Sequence, residues 1–165
     1  MKTIFLDRDG VLNIEKGQYT FLVENFEILP GIIPVLKVLK QNGFLLIVIT
    51  NQAGIAKGLY NRKEMERCHD KFQNLSGRLI DHFYVAPDHP DFSASLSRKP
   101  DSLLFEKAIS KYDIDTKNSW MVGDKERDLI PAKKMGIQTV MIGDQPSYSH
   151  DFRINHPDEL LRIIL

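Results

Sequence analysis

Two aspartates separated by one residue, Asp7 and Asp9, follow a short apolar run at positions 4–6 and precede Gly10. The run predicts a buried strand, and residues two apart on an extended chain point the same way. Both carboxylates can therefore face one pocket, where they could act as nucleophile and as acid or base, while the arginine between them turns aside. Gly10 lets the chain leave the strand sharply. This pattern alone also fits an ordinary strand followed by a charged turn.

Apolar, β-branched segments alternate with helical patterns along the chain. Predicted strands lie at Thr3 to Leu6, Phe44 to Ile49, His82 to Val85, Ser119 to Val122 and Gln138 to Ile142. Helices are predicted after Pro30-Gly31, Asn61, Pro100, Asp124 and Pro157. We predict an α/β fold: a doubly wound parallel sheet in three α/β/α layers, with no large cap domain. Residues 1–165 would form one domain.

Composition limits the possible partners and location. Lys plus Arg and Asp plus Glu both total 22, so no overall field would recruit nucleic acid or an acidic membrane. No apolar run approaches the ~18 residues of a membrane span. The single cysteine, Cys68, and an N-terminus without a cleavage-type sequence predict a cytoplasmic protein. We expect a monomer that acts on a small molecule.

Polar residues follow four of the predicted strands. They are Asp7 and Asp9 after the first, Thr50-Asn51-Gln52 after the second, Arg98-Lys99 beyond the third, and Asp124 with Asp128 after the fourth. Ligands of open α/β sheets bind at the carboxyl ends of the strands, so these clusters should converge on one edge. A surface lysine or a strand-end threonine would be unremarkable alone, and the joint placement carries the inference.

The chemistry that these residues suit is phosphoryl transfer. Asp7 can attack phosphorus and form an aspartyl phosphate. Asp9 would protonate the leaving oxygen and later accept a proton from water, which requires its pKa to lie above that of Asp7. Asp7 and Asp124 are hard oxygen ligands suited to Mg²⁺. Lys99 would neutralise the phosphate, and the Thr50 hydroxyl would hold its oxygens.

Four segments, FLDRDG, ITNQ, RKP and VGDKERD, resemble in order and spacing the motifs of the haloacid dehalogenase superfamily. The similarity runs from about Thr3 to Ile142. Within the superfamily the chain is most similar to phosphatases that remove the 7-phosphate of D-glycero-D-manno-heptose 1,7-bisphosphate. It also resembles histidinol-phosphate phosphatases. The alternative substrates are therefore histidinol phosphate or another sugar phosphate.

The resemblance implies roles for individual residues. Asp7 would be the nucleophile, Asp9 the acid/base, and Asp7, Asp124 and the Asp9 backbone carbonyl the Mg²⁺ ligands. Asp128 would orient Lys99 or a metal-bound water. The implied substrate contacts are Glu15, Lys16, Gly17, Gln18, Thr50, Asn51, Gln52, Ala53, Arg98, Lys99 and Lys125.

The loop before RKP departs from the family. Typical members hold a structural zinc there with three cysteines and a histidine, but the matching positions are Ala86, Asp88, Ser95 and Ser97. His89 alone cannot form a four-ligand site. We therefore expect no zinc, and we expect the altered loop to affect substrate choice more than the reaction.

A signalling receiver domain is the alternative from a different class, because it also places acids, a threonine and a lysine on a doubly wound sheet. A receiver carries its phospho-acceptor on the middle strand. Here that strand ends near Ala86-Pro87 and offers no aspartate at that end. An inactive binding protein is a third possibility, although every catalytic position is filled.

Overall fold

The computed structural model describes residues 1–165, and a parallel sheet with helices on both faces lies at its centre. The strands are β1 (Thr3–Leu6), β2 (Leu45–Asn51), β3 (His82–Ala86), β4 (Trp120–Gly123), β5 (Gln138–Ile142) and β6 (Phe152–Ile154). The helices are α1 (Ile32–Gln41), α2 (Arg62–Ser76), α3 (Leu103–Tyr112), α4 (Glu126–Lys134) and α5 (Glu159–Ile164). The strand order is β3-β2-β1-β4-β5-β6, and all pairs are parallel.

Two hydrophobic clusters cover the two faces of the sheet. Ile4 and Leu6 of β1 face a cluster built with α1, α2 and α5. Phe5, between them, faces a second cluster built with α3 and α4. Because side chains alternate along a strand, a strand covered on both faces is apolar at every position, which explains the unbroken run in β1. The predicted three-layer α/β/α fold is confirmed.

The five predicted strands are all present, with ends that differ by at most two residues from the predicted ones. β6 was not predicted. It has only three residues, Phe152 and Arg153 are exposed, and only Ile154 is buried, so its sequence lacks the pattern of a core strand. The sheet pairs β6 in parallel with β5.

The predicted start of α2 is confirmed in detail. The Asn61 side chain accepts a hydrogen bond from Glu64 N at 3.0 Å, and the Glu64 side chain accepts one from Asn61 N at 2.8 Å. Cys68 and His69 are buried on this helix, as its helical apolar spacing predicts. The His69 ring stacks on Phe83, with ring centroids 4.3 Å apart.

None of the helices combines the length and the apolar character needed to cross a membrane.

Candidate active site

The predicted residues converge at the topological switch point of the sheet, between β1 and β4, where the strand order reverses. α1 and α2, which connect β1 to β2 and β2 to β3, pack on one face, whereas α3 and α4, which lead to β4 and β5, pack on the other. β1 and β4 are neighbours, so a crevice opens between their carboxyl ends. Asp7 directly follows β1, and Asp124 directly follows β4. Asp7 N also donates to Val122 O at 3.0 Å, which extends the pairing to the site.

A buried lysine links two of the aspartates. Lys99 is only 1% exposed, and its Nζ lies 2.9 Å from Asp7 Oδ1 and 2.8 Å from Asp128 Oδ1. It also donates a hydrogen bond to Ile49 O at 2.7 Å. Burial works to lower the pKa of Lys99, but the charges of Asp128 and Asp7 outweigh it and hold that pKa above its ordinary value. The lysine is therefore a fixed cation beside Asp7.

The Asn51 side chain forms hydrogen bonds with the backbone of Lys99. Its side-chain amide donates to Lys99 O, and its carbonyl oxygen accepts from Lys99 N, both at 3.0 Å. The end of β2 thus anchors the loop that precedes α3, although the two residues are 48 positions apart. This pairing fixes the entry point of the lysine side chain.

Asp9 is held as a carboxylate by several donors. Arg8 donates to both of its oxygens, from Nε at 3.1 Å and from Nη2 at 2.9 Å, and Asn13 and Gln52 add hydrogen bonds of 3.0 and 3.1 Å. Arg8 was predicted to turn aside. Instead its side chain folds back to Asp9 and to the carbonyl of Thr20, and its buried Nη1 has no hydrogen-bond partner.

The pKa values of the two aspartates are ordered opposite to the prediction. Burial, and then the charge of Asp128, raise the pKa of Asp7 to about 6. Burial works to raise the pKa of Asp9 as well, but the charge and hydrogen bonds of Arg8 outweigh it and bring that pKa below its ordinary value. The partners of each carboxylate decide the order, and no spacing along the chain indicates that Arg8 pairs with Asp9.

Gln52 joins the acid and the threonine in one network. Its amide nitrogen donates to Thr50 Oγ1 at 2.9 Å as well as to Asp9, and its carbonyl oxygen accepts from the Tyr60 hydroxyl at 2.6 Å. Gln52 is only 2% exposed. Its side chain therefore organises neighbouring groups, and because Gln52 also lines the cavity described below, its substrate contact stays a prediction.

The acidic residues form a group that fits a hard cation. Carboxylate oxygens of Asp7, Asp124 and Asp128 lie within 4.8 Å of one another. Asp124 Oδ1 is buried and has no hydrogen-bond partner in the protein. Burial, and then the charge of Asp7, raise the pKa of Asp124 to about 7. A buried, unpartnered carboxylate oxygen among other acids is the environment that Mg²⁺ binding stabilises.

Gly10 makes room for this acidic group. A Cβ at this position would lie 2.5 Å from Cγ and Oδ2 of Asp124, and the residue has a φ of +85°. Only glycine satisfies both conditions without strain. Gly10 therefore allows the Asp124 side chain to pack directly against the turn that follows Asp7 and Asp9.

A cavity of about 520 Å³ opens above these residues. Of the predicted site residues it is lined by Asp7, Asp9, Glu15, Gly17, Gln18, Asn51, Gln52, Ala53, Arg98, Asp124 and Lys125. Lys125 Nζ lies 2.9 Å from Glu15 Oε2, so two of the predicted contacts neutralise each other. Thr50, Lys99 and Asp128 are buried and do not line the cavity themselves. Lys16 lies elsewhere and pairs with Glu27 at 3.1 Å.

The cavity also includes residues that the sequence did not identify. Arg8, Tyr19, Thr20, Arg127 and Gln145 line it. Arg127 and Gln145 follow the ends of β4 and β5, so the rule that led to Asp124 could have found them. Tyr19 and Thr20 belong to an irregular segment whose path no periodicity indicates.

The loop before Lys99 is held by hydrogen bonds among its own residues. His89 O accepts from Phe92 N and Ser93 N at 3.0 and 3.1 Å. Asp88 O accepts from the Arg98 guanidinium at 3.2 Å. The His89 ring Nδ1 accepts from Asp91 N at 3.2 Å. The donor set of this loop is one imidazole with carboxylate and hydroxyl oxygens, which does not fit a thiolate-rich zinc site.

Comparison with known proteins agrees with this geometry. Residues 13–142 match the family model described as haloacid dehalogenase-like hydrolase. A D-glycero-beta-D-manno-heptose-1,7-bisphosphate 7-phosphatase of Haemophilus ducreyi is 34% identical over 150 residues, which cover 86% of this chain and 82% of that protein. A D-glycero-alpha-D-manno-heptose-1,7-bisphosphate 7-phosphatase of Photorhabdus laumondii is 39% identical over 146 residues, covering 83% and 79%.

A solved structure supports the same relationship. The D,D-heptose 1,7-bisphosphate phosphatase from B. bronchiseptica, complexed with magnesium and phosphate, superposes with a TM-score of 0.87 at 26% identity and 99% coverage of both chains. Because the matched relatives are phosphatases, the predicted phosphoric monoester hydrolase is confirmed. The family match covers most of the chain, and the protein belongs to the haloacid dehalogenase-like hydrolases.

Proposed function

We propose that this protein is a Mg²⁺-dependent phosphatase that removes the 7-phosphate of D-glycero-D-manno-heptose 1,7-bisphosphate through an aspartyl-phosphate intermediate. The observation that carries the proposal is the position of Asp7. Its carboxylate lies at the topological switch point, ion-paired to the buried Lys99 and beside the unpartnered oxygen of Asp124. The names of the relatives support the choice of substrate.

Asp7 and Asp124, together with the backbone carbonyl of Asp9, would hold Mg²⁺. The bound ion would neutralise phosphate charge and orient the phosphoryl group. Asp128 would serve Lys99, to which it is ion-paired, and not the metal.

In the first step, Asp7 attacks phosphorus and forms a carboxyl–phosphate bond as the bond to the leaving oxygen breaks. Asp9 gives that oxygen a proton, so the sugar leaves as an alcohol. In the second step, Asp9 takes a proton from a water whose oxygen attacks the same phosphorus. The carboxyl–phosphate bond breaks, which releases phosphate and restores both aspartates.

Asp9 must hold a proton in the first step, although its partners favour the carboxylate. A phosphate dianion placed beside Asp9 works to raise its pKa, whereas a Mg²⁺ ion held by Asp7 would lower the pKa of Asp7. Binding of the substrate together with Mg²⁺ would therefore shift the two pKa values toward the order that the mechanism requires. Gln52 connects Asp9 to Thr50, so both groups can respond to the same phosphate.

The alternative substrates are histidinol phosphate or a sugar phosphate other than the heptose. They stay open because the altered loop from Ala86 to Ser97 leads into Arg98, which lines the cavity. A receiver-like switch would need no leaving-group acid and no substrate cavity. We further infer that the loop binds no zinc, since it lacks thiolates. The monomeric state and the cytoplasmic location remain predictions.

The test compares wild type, Asp7→Asn and the exposed Asp158→Asn as a matched control. Wild type and Asp158→Asn should release phosphate from p-nitrophenyl phosphate only with Mg²⁺, and Asp7→Asn should not. Asp9→Asn should lose most with poor leaving groups. Ranking heptose bisphosphates, histidinol phosphate and common sugar phosphates by kcat/KM then tests the substrate. Equal release by wild type and Asp7→Asn would refute the mechanism.

A further inference from the structure

The cations around the catalytic cavity divide into paired and unpaired ones. The paired cations are Arg8 with Asp9, and Lys125 with Glu15. Arg98 and Arg127 line the same cavity, and neither forms an ion pair with a carboxylate. Two uncompensated guanidinium groups therefore face the space that a substrate would occupy.

The Arg127 side chain has a buried donor atom that neither the protein nor bulk water satisfies. The residue is half-buried, and its Nε is buried without a hydrogen-bond partner. Arg98 is also half-buried, and its only protein acceptor is the carbonyl of Asp88. Burial lowers the pKa of Arg98, and the charge of the nearby Arg127 lowers it further. Such a pair is unfavourable in the free protein and is relieved by an anion.

The backbone of Arg127 is held on both sides. The preceding residue, Glu126, accepts hydrogen bonds from Tyr148 N at 3.0 Å and Ser149 N at 3.3 Å. The following residue, Asp128, accepts one from Lys125 N at 3.1 Å and pairs with the catalytic lysine. A side chain carried on a fixed backbone loses less freedom on binding, so Arg127 is preorganised for a ligand.

Building on the proposed phosphatase function, we propose that Arg127 is a specificity-determining residue that, with Arg98, binds a second phosphate of the substrate. The reacting phosphate already has Lys99 as its cation, so a monophosphate would leave the two guanidinium groups unpaired. Planar guanidinium groups match phosphate oxygens bidentately. The same charges disfavour histidinol phosphate, because its amino group is cationic.

Arg127 is the better position for a test. Arg98 ties down the loop through Asp88, whereas Arg127 forms no side-chain hydrogen bond or ion pair that its removal would break. Lys134→Gln removes one positive charge from an exposed position of the same helix and is the matched control. Arg127→Lys keeps the charge but loses the planar fork.

The substrates should be D-glycero-D-manno-heptose 1,7-bisphosphate and D-glycero-D-manno-heptose 7-phosphate, which differ only in the second phosphate. Arg127→Gln should lower kcat/KM for the bisphosphate about 10- to 100-fold, as expected for losing charge-assisted hydrogen bonds. The value for the monophosphate should change less than about threefold, a difference within the ordinary scatter of surface changes. Arg127→Lys should recover part of the loss, and Lys134→Gln should match wild type.

A second readout does not depend on the sugar. Hexane-1,6-diol bisphosphate and hexyl phosphate are compared as competitive inhibitors of p-nitrophenyl phosphate hydrolysis. If wild type does not hydrolyse the heptose, the proposed substrate fails, and this readout still decides the role of Arg127. The expected result is that the preference for the bisphosphate inhibitor is lost in Arg127→Gln and kept in Lys134→Gln. Equal weakening of both inhibitors, or none, would overturn the proposal.

Discussion

Replacing Gly10 by alanine tests how closely the turn after the aspartates is fitted to the site. The new Cβ would lie 2.5 Å from the Asp124 carboxyl carbon, whereas ordinary contacts begin near 3.4 Å. The Asp124 carboxylate would therefore have to move by about 0.9 Å, and misplacement of a catalytic group by about 1 Å can cost ~100-fold in rate. Because Mg²⁺ demands near-ideal ligand geometry, the variant should also need more Mg²⁺.

Gly31→Ala separates this effect from backbone strain. Gly31 has a φ of +84°, almost the same as the +85° of Gly10, but nothing lies within 4 Å of its added Cβ. Both variants should lose about 1–2 kcal/mol of stability from the left-handed conformation. Urea denaturation measures that loss, and circular dichroism confirms that the assayed protein is folded.

The assay is hydrolysis of p-nitrophenyl phosphate over a range of Mg²⁺ concentrations. Gly31→Ala should keep the kcat/KM and Mg²⁺ dependence of wild type. Gly10→Ala should lose about 100-fold in kcat/KM and require more Mg²⁺ for half-maximal rate. If folded Gly10→Ala behaves like Gly31→Ala in both respects, the proposed role of the close approach to Asp124 is wrong.

Two further predictions concern a buried histidine and the metal content. Burial, followed by the charge of Arg8, lowers the pKa of His69 to about 3. As the pH falls, His69 is therefore protonated in the unfolded chain before it is protonated in the folded protein. The free energy of unfolding decreases as the pH falls below about 6.5. Between about pH 7.5 and pH 5, wild type should lose about 2 kcal/mol more than His69→Phe in urea denaturation, and parallel losses would contradict this origin. Elemental analysis should find no stoichiometric zinc, and Mg²⁺ alone should restore activity after chelation; one zinc per chain would contradict the prediction for the loop.

The fold could be predicted because its signals are local. Ile4, Phe5 and Leu6 of β1 each contribute to one of two cores, so this run is unbroken and apolar. Asn61 with Glu64 marks the start of α2 without any distant partner. β6 lacked such a signal. Two of its three residues are exposed, and it exists because the edge of β5 was available for pairing.

The site was predicted in part for the same reason. In a parallel sheet the carboxyl ends of the strands meet at one edge, so the sequence was enough to bring Asp7 and Asp124 together. Arg127 obeys the same rule, but a charged residue in the first turn of a helix is common and gives no signal by itself. Its missing partner, which is what makes it informative, is visible only in three dimensions.

The sequence by itself determined which groups are present and at which strand ends they stand. It thereby determined the family, the nucleophile predicted at Asp7 and the need for cations. Only the tertiary structure decided how each group is charged, since burial and distant partners decide the pKa. Arg8 folds back and lowers the pKa of Asp9, whereas burial and then the charge of Asp128 raise the pKa of Asp7, so the expected pKa order is reversed. Electrostatic interactions act through space, and no spacing along the chain specifies them.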